Sequence, residues 1–172
     1  VNLPAAGLLV TFGVMTVLVI REVGMTPRRS LSQHIAKSPR AITYGRVGLT
    51  LGGILFIAAL VEYAHIGWWF MAATMAAACL GTAVAYLPYD VSTRQDVWHD
   101  VCSYGYVVMN PIILLMIGIT LPDGGLKVGY AVGIAVQLFL IILLMTVKPA
   151  RRFFLFGQIL FLGIFASLLT MS

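Results

Sequence analysis

Apolar residues along this chain fall into six long runs, separated by short polar or charged connections. The runs are Leu3–Ile20, Val47–Val61, Ile66–Leu87, Val101–Thr120, Val128–Val147 and Phe153–Met171. A helix needs roughly 20 apolar residues, rising about 1.5 Å each, to cross a hydrocarbon layer of about 30 Å. The second run is short by itself. It reaches full length if Ala41–Arg46 continues the helix and Arg46 snorkels its guanidinium to the headgroups. The pattern predicts an all-α fold, a polytopic membrane bundle of six transmembrane helices in one domain over residues 1–172. The helices are expected near residues 3–20, 41–62, 66–87, 94–120, 127–147 and 150–171.

The connections carry matching punctuation. Ser38-Pro39 sets a cap residue before a first-turn proline, which starts the second helix near Arg40. Ser92-Thr93-Arg94-Gln95 has capping-box spacing and starts the fourth near Thr93. Pro122-Asp123-Gly124-Gly125 predicts a tight hairpin turn, and Pro149 opens the sixth helix. The first run has no basic stretch before it and no small-residue cleavage site. It is expected to be a true membrane helix rather than a cleaved signal.

Composition agrees. Hydrophobic residues make up 60% and charged residues 10% of the 172, against about 45–50% and 25% in soluble domains. A soluble fold this small has too much surface to cover with so few charges. The distribution of charge adds an orientation. Arg21, Arg28, Arg29, Lys37, Arg40 and Arg46 flank the first connection, Arg94 the third, and Lys148, Arg151 and Arg152 the fifth; only Lys127 lies on the other side. By the positive-inside rule the basic connections are cytoplasmic and both termini are outside, in the cell membrane. The expected partners are membrane lipids with anionic headgroups, with a protein partner or a second copy also open. No extended basic domain is present to bind nucleic acid.

Tyr63, Trp68, Trp69 and Phe70 at one end, and Tyr86, Tyr89 and Trp98 at the other, have the placement of interfacial aromatics. Cys79 and Cys102 form neither a disulfide framework nor a zinc pattern and are expected as packing residues. Gly48/Gly52 and Gly129/Gly133 are spaced for close helix approach within the bundle. The small-residue stretch Ala72–Cys79 predicts that the third helix is central. Asn110 and Gln137 fall at mid-depth and should face protein, because an unpaired amide costs several kcal/mol in hydrocarbon. Pro111 should bend the fourth helix and free a carbonyl for a polar side chain.

The densest chemistry lies in the third connection and the start of the fourth helix. His99, Ser103, Tyr106 and Asn110 recur at intervals of four, three and four, which places them on one helical face. Asp90, Arg94, Asp96, His99, Ser103, Tyr106 and Asn110 are therefore the candidate ligand-binding residues. Three accounts stay open. The residues can be structural, with Asp96 and Asp100 favoured near a helix N-terminus, Arg94 paired with Asp90 and His99 bonded locally. They can form a pocket for a lipid headgroup or small polar ligand. They can also do chemistry, with His99 as acid/base or Asp96, His99 and Asp100 as metal ligands, although no recognised metal spacing such as HExxH is present.

Ser30-Leu31-Ser32-Gln33-His34-Ile35-Ala36, the Gly-rich second helix, Leu87-Pro88-Tyr89-Asp90 and His99-Asp100 together resemble a bacterial six-helix membrane family of unknown function. That family is distantly similar to the damage-regulated autophagy modulator group. The resemblance implies six helices, no established activity, and weight on Pro88, Asp90 and His99. It also implies a chain that starts in the cytoplasm, against the charge count.

These features support a non-enzymatic membrane protein that binds a lipid headgroup or partner subunit, with no catalytic, cofactor or metal residues assigned. A small-solute transporter or channel is the first alternative, though no ionisable residue reaches mid-membrane. An intramembrane enzyme using His99 is the second. His65 and His99 lie at opposite ends of the bundle, too far apart for a shared haem, and no mid-membrane lysine is available for retinal.

Overall fold

The computed structural model describes residues 2–87, 94–122 and 124–171; the side chains of Arg94, Gln95, Asp96 and Arg151 fall outside that description. It is all-α among these residues. The helices are α1 (Leu3–Val23), α2 (Leu31–Ile35), α3 (Pro39–Leu60), α4 (Trp68–Tyr86), α5 (Arg94–Thr120), α6 (Gly125–Thr146) and α7 (Phe154–Met171). All but α2 are long and apolar enough to cross a membrane, and the chain is a multi-pass membrane protein.

Local chemistry sets the boundaries. Asn2 caps α1 by accepting from the Ala5 N–H at 2.9 Å. Gly24 ends α1 with φ +76°, a backbone that favours glycine, and its N–H returns to the Ile20 carbonyl at 2.8 Å. Ser38 Oγ accepts from the Ala41 N–H at 3.1 Å with Pro39 in the first turn, the cap expected of that pair. Two boundaries differ from the sequence expectation. The α-helix α3 ends at Leu60 and continues as a 3₁₀ segment, Val61–Ile66. Pro149 opens a second 3₁₀ segment, Lys148–Phe153, so α7 begins only at Phe154. The Ser92–Gln95 capping box, the Arg94–Asp90 pair and Tyr89 lie outside the described residues.

The six long helices close into a ring in the order α1, α3, α4, α5, α6, α7 and back to α1. Aromatic side chains fill the middle. Phe56 of α3 stacks on Phe165 of α7, with centroids 5.4 Å apart and planes at 11°, and the Tyr106 ring of α5 lies 6.3 Å from Phe56. The third membrane helix is not central, contrary to expectation. It is one wall, packed mainly on α3 and α5. The most enclosed span is α7, 39% buried against 28% for α4. Large side chains such as Phe161, Phe165 and Leu169 reach the ring's centre. The small residues of α4 permit close packing on one side and leave Met75 and Cys79 facing outward. Cys79 is thus not a core packing residue.

The glycine pairs act within the bundle. Gly48 and Gly52 of α3 seat Met15 and Leu8 of α1, and Gly129 and Gly133 of α6 seat Leu168 of α7. Half of the outer aromatic group behaves as an interfacial belt. Trp68 and Trp69 are exposed and stacked, with centroids 3.5 Å apart, but Tyr63 and Phe70 turn inward and are buried. At the basic end Tyr86 and Trp98 are exposed, and the Arg46 guanidinium sits 5.5 Å from the Tyr86 ring centroid. A cation over an aromatic face is favourable at such a distance.

Asn2 also ties helices together at the end opposite the basic loops. Its amide donates to the Ala59 carbonyl at 2.8 Å and to the Glu62 carboxylate. Asn2→Ala removes a cap and leaves the buried Ala59 carbonyl short of that partner. The expected cost is about 2–3 kcal/mol, seen as a lower thermal midpoint by circular dichroism in detergent. An unchanged midpoint would assign Asn2 no such role.

Candidate functional site

The first connection is a docked strap rather than a loose loop. Its core is α2, opened by a capping box in which Ser30 Oγ accepts from the Gln33 N–H and Gln33 Oε1 accepts from the Ser30 N–H. His34, placed in a loop by the sequence reading, is fully buried in α2. Its Nε2 accepts from the Thr26 N–H at 3.0 Å, so the ring proton sits on Nδ1 and donates to the Ser30 carbonyl at 2.7 Å. One imidazole thereby satisfies two backbone groups of an irregular segment, and such groups are costly to bury unpaired. Two long-range bonds hold the strap to the last helix. The Leu31 N–H donates to Gln158 Oε1 at 2.8 Å, and the Leu155 N–H donates to the Pro27 carbonyl at 3.1 Å.

The strap covers a cavity of about 330 Å³ at the basic end of the bundle. Its walls come chiefly from α5, α6 and α7, with Phe12 of α1 and Leu49 of α3 at the back. The polar lining gathers at the basic end: Arg28, Ser30, Ser32 and Gln33 from the strap, His99 and Asp100 from the early turns of α5, and Gln158 from the first turns of α7. Further along the helices the lining becomes mostly apolar, with Val107, Leu140, Phe161 and Leu162. Tyr104 of α5 and Met145 of α6 also line the cavity, yet they are 49% and 47% exposed on the outside of the bundle. The cavity therefore communicates with the outer surface between α5 and α6.

The predicted polar stripe divides here. His99, Ser103 and Tyr106 line the cavity, whereas Asn110 does not. Asn110 is fully buried and donates to the Tyr106 carbonyl at 2.7 Å. Pro111 cannot donate to the Val107 carbonyl; the amide of Asn110 bonds the neighbouring carbonyl rather than that one. Gln137, also fully buried, donates to the Phe161 carbonyl at 3.0 Å. Both amides face protein as expected, but each bonds backbone instead of the other. His99 is 2% exposed, and its Nδ1 meets the Leu87 carbonyl at 2.5 Å. That bond spans twelve residues and ties the end of α4 to the start of α5, so it is not the local contact expected. Asp90 lies outside the described residues, as do the side chains of Arg94 and Asp96. Among the described residues, no three His, Cys, Asp or Glu side chains converge as metal ligands do.

The strap residues and Gln158 are the part of the site that helix-face reasoning omits. Ser30-x-x-Gln33 has capping-box spacing and announces α2 in principle. Nothing local announces Gln158, whose partner lies 127 residues away in the chain. No protein-family model, curated protein or solved structure matches this chain.

Proposed function

We propose that this is a non-enzymatic lipid-binding protein of the cell membrane, with its basic end in the cytoplasm and both termini outside. The observation that carries this reading is the cavity's division into a polar end under the strap and an apolar end among α5, α6 and α7. An amphiphile matches that division, with its headgroup at the level of Arg28 and His99 and its chain beside Leu140 and Phe161. Its volume stands at the low end of the range for small-molecule sites, about 300–1,000 Å³. That space suits a headgroup with a single chain segment. The gap between Tyr104 and Met145 offers a path from the inner leaflet, which spares a lipid passage through water. The excess of Lys and Arg at this end supports the orientation.

The test is lipid retention. The protein is purified in a mild detergent, and bound lipid is read by native mass spectrometry. Ile141, half-buried on the cavity wall, is replaced by Trp to fill the apolar end. Overpacking costs of about 1–3 kcal/mol correspond to roughly a tenfold or greater loss of bound lipid. Equal lipid occupancy in wild type and Ile141→Trp, with both proteins folded, would exclude the cavity as a lipid site.

A further inference from the structure

The polar end of the cavity holds one fixed cation and one carboxylate that the fold does not use. Arg28 comes from the strap and Asp100 from the second turn of α5, and both line the cavity. Among the described residues, no ion pair or side-chain hydrogen bond engages either of them. An unpaired charge beside an apolar cavity is costly unless something of opposite sign meets it.

Each charge has suitable neighbours. On the strap, Ser30 and Ser32 share the lining with Arg28, and their hydroxyls lie 2.9 Å apart. Guanidinium plus hydroxyl donors is a set that recognises phosphate. On α5, Tyr104 follows Asp100 by four residues, which puts the ring and the carboxylate on one helical face, and both line the cavity. Carboxylate plus aromatic ring is a set that recognises an ammonium group. The remaining titratable groups of the lining are His99 and Tyr106.

Resting on the lipid-binding reading above, we infer that the ligand is a single-chain zwitterionic phospholipid. Its phosphate lies toward Arg28, Ser30 and Ser32, and its ammonium group lies toward Asp100 and Tyr104. A purely anionic lipid would leave Asp100 facing like charge. A neutral lipid would leave both charges without partners.

The experiment compares lysophosphatidylcholine, lysophosphatidic acid and monoacylglycerol of one chain length, titrated separately onto delipidated protein and read by native mass spectrometry. Wild type should favour the zwitterion over each of the others by roughly tenfold, as a desolvated charged contact implies. Asp100→Asn should erase the preference over lysophosphatidic acid, and Tyr104→Leu should weaken it. Arg28→Gln should reduce both phosphate-bearing lipids and spare monoacylglycerol. Glycerophosphocholine, which has no chain, should not compete. Three results would overturn the inference: lysophosphatidic acid binding as well as the zwitterion, a ranking unmoved by Asp100→Asn, or full competition by glycerophosphocholine. If the headgroups bind equally but Ile141→Trp abolishes binding of all three, the cavity reading stands and the zwitterion assignment falls. If none of the three binds, both fall.

Discussion

His34→Ala should release the strap from the bundle. The imidazole is fully buried and serves the Thr26 N–H and the Ser30 carbonyl at once. Alanine removes both bonds and leaves an empty space the size of the ring. Large-to-small replacement and an unsatisfied donor together cost about 2–4 kcal/mol. The α2 segment has only five residues, so it has little helical stability of its own once undocked. The loss should therefore appear locally before it appears globally. Arg28 and Arg29 are exposed at the edge of the strap and are trypsin sites. Limited proteolysis in detergent should cut the variant there at least about tenfold faster than wild type, if cutting follows the local opening equilibrium. Retained lipid should fall as well, because the strap carries half of the cavity's polar end. Unchanged cleavage rates would mean that the strap is held by its bonds to α7 alone.

Gly48→Leu is expected to be the most damaging substitution in the ring. A β-carbon built at Gly48 would lie 2.7 Å from Met15 Cβ. That contact is close to the α1 backbone, so rotating the Met15 side chain cannot relieve it. The helices α1 and α3 must separate along their shared face. Between membrane helices, close packing is itself a main source of association. Overpacking at such sites costs typically about 1–3 kcal/mol, and a full leucine belongs at or above the upper end. A large fall in thermal midpoint and a broader size-exclusion profile are expected. Gly13→Leu is the matched control, since nothing lies within 4 Å of a β-carbon there. Equal midpoints for the two variants would remove the packing argument.

Much of the candidate site was visible in the order of residues, and its gaps have a common cause. His99, Ser103 and Tyr106 share a face because helical periodicity is local, and that face does line the cavity. Asn110 continues the periodicity but lies beyond the cavity's apolar end, a matter of where α6 and α7 close in. His34 seemed a loop residue because its partners are the backbone groups of Thr26 and Ser30, and backbone partners leave no mark in sequence. Gln158 sits near the start of a strongly apolar helix and gains meaning only when Leu31 is brought to it. The expected centrality of the third helix failed for a related reason. Small residues permit close contact but do not say how many neighbours will use it.

The amino-acid sequence by itself determined the six membrane helices, the Ser38-Pro39 cap, the gathering of positive charge at one end and the inward burial of Asn110 and Gln137. Each of these follows from hydrophobic length, local hydrogen bonding or the cost of a polar group in hydrocarbon, which act residue by residue. Only the tertiary structure decided the ring order, the docking of the first connection as a strap and the cavity beneath it. These depend on residues far apart in the chain, such as Leu31 with Gln158 and Phe56 with Phe165. Contacts of that kind form only after the helices have chosen their neighbours.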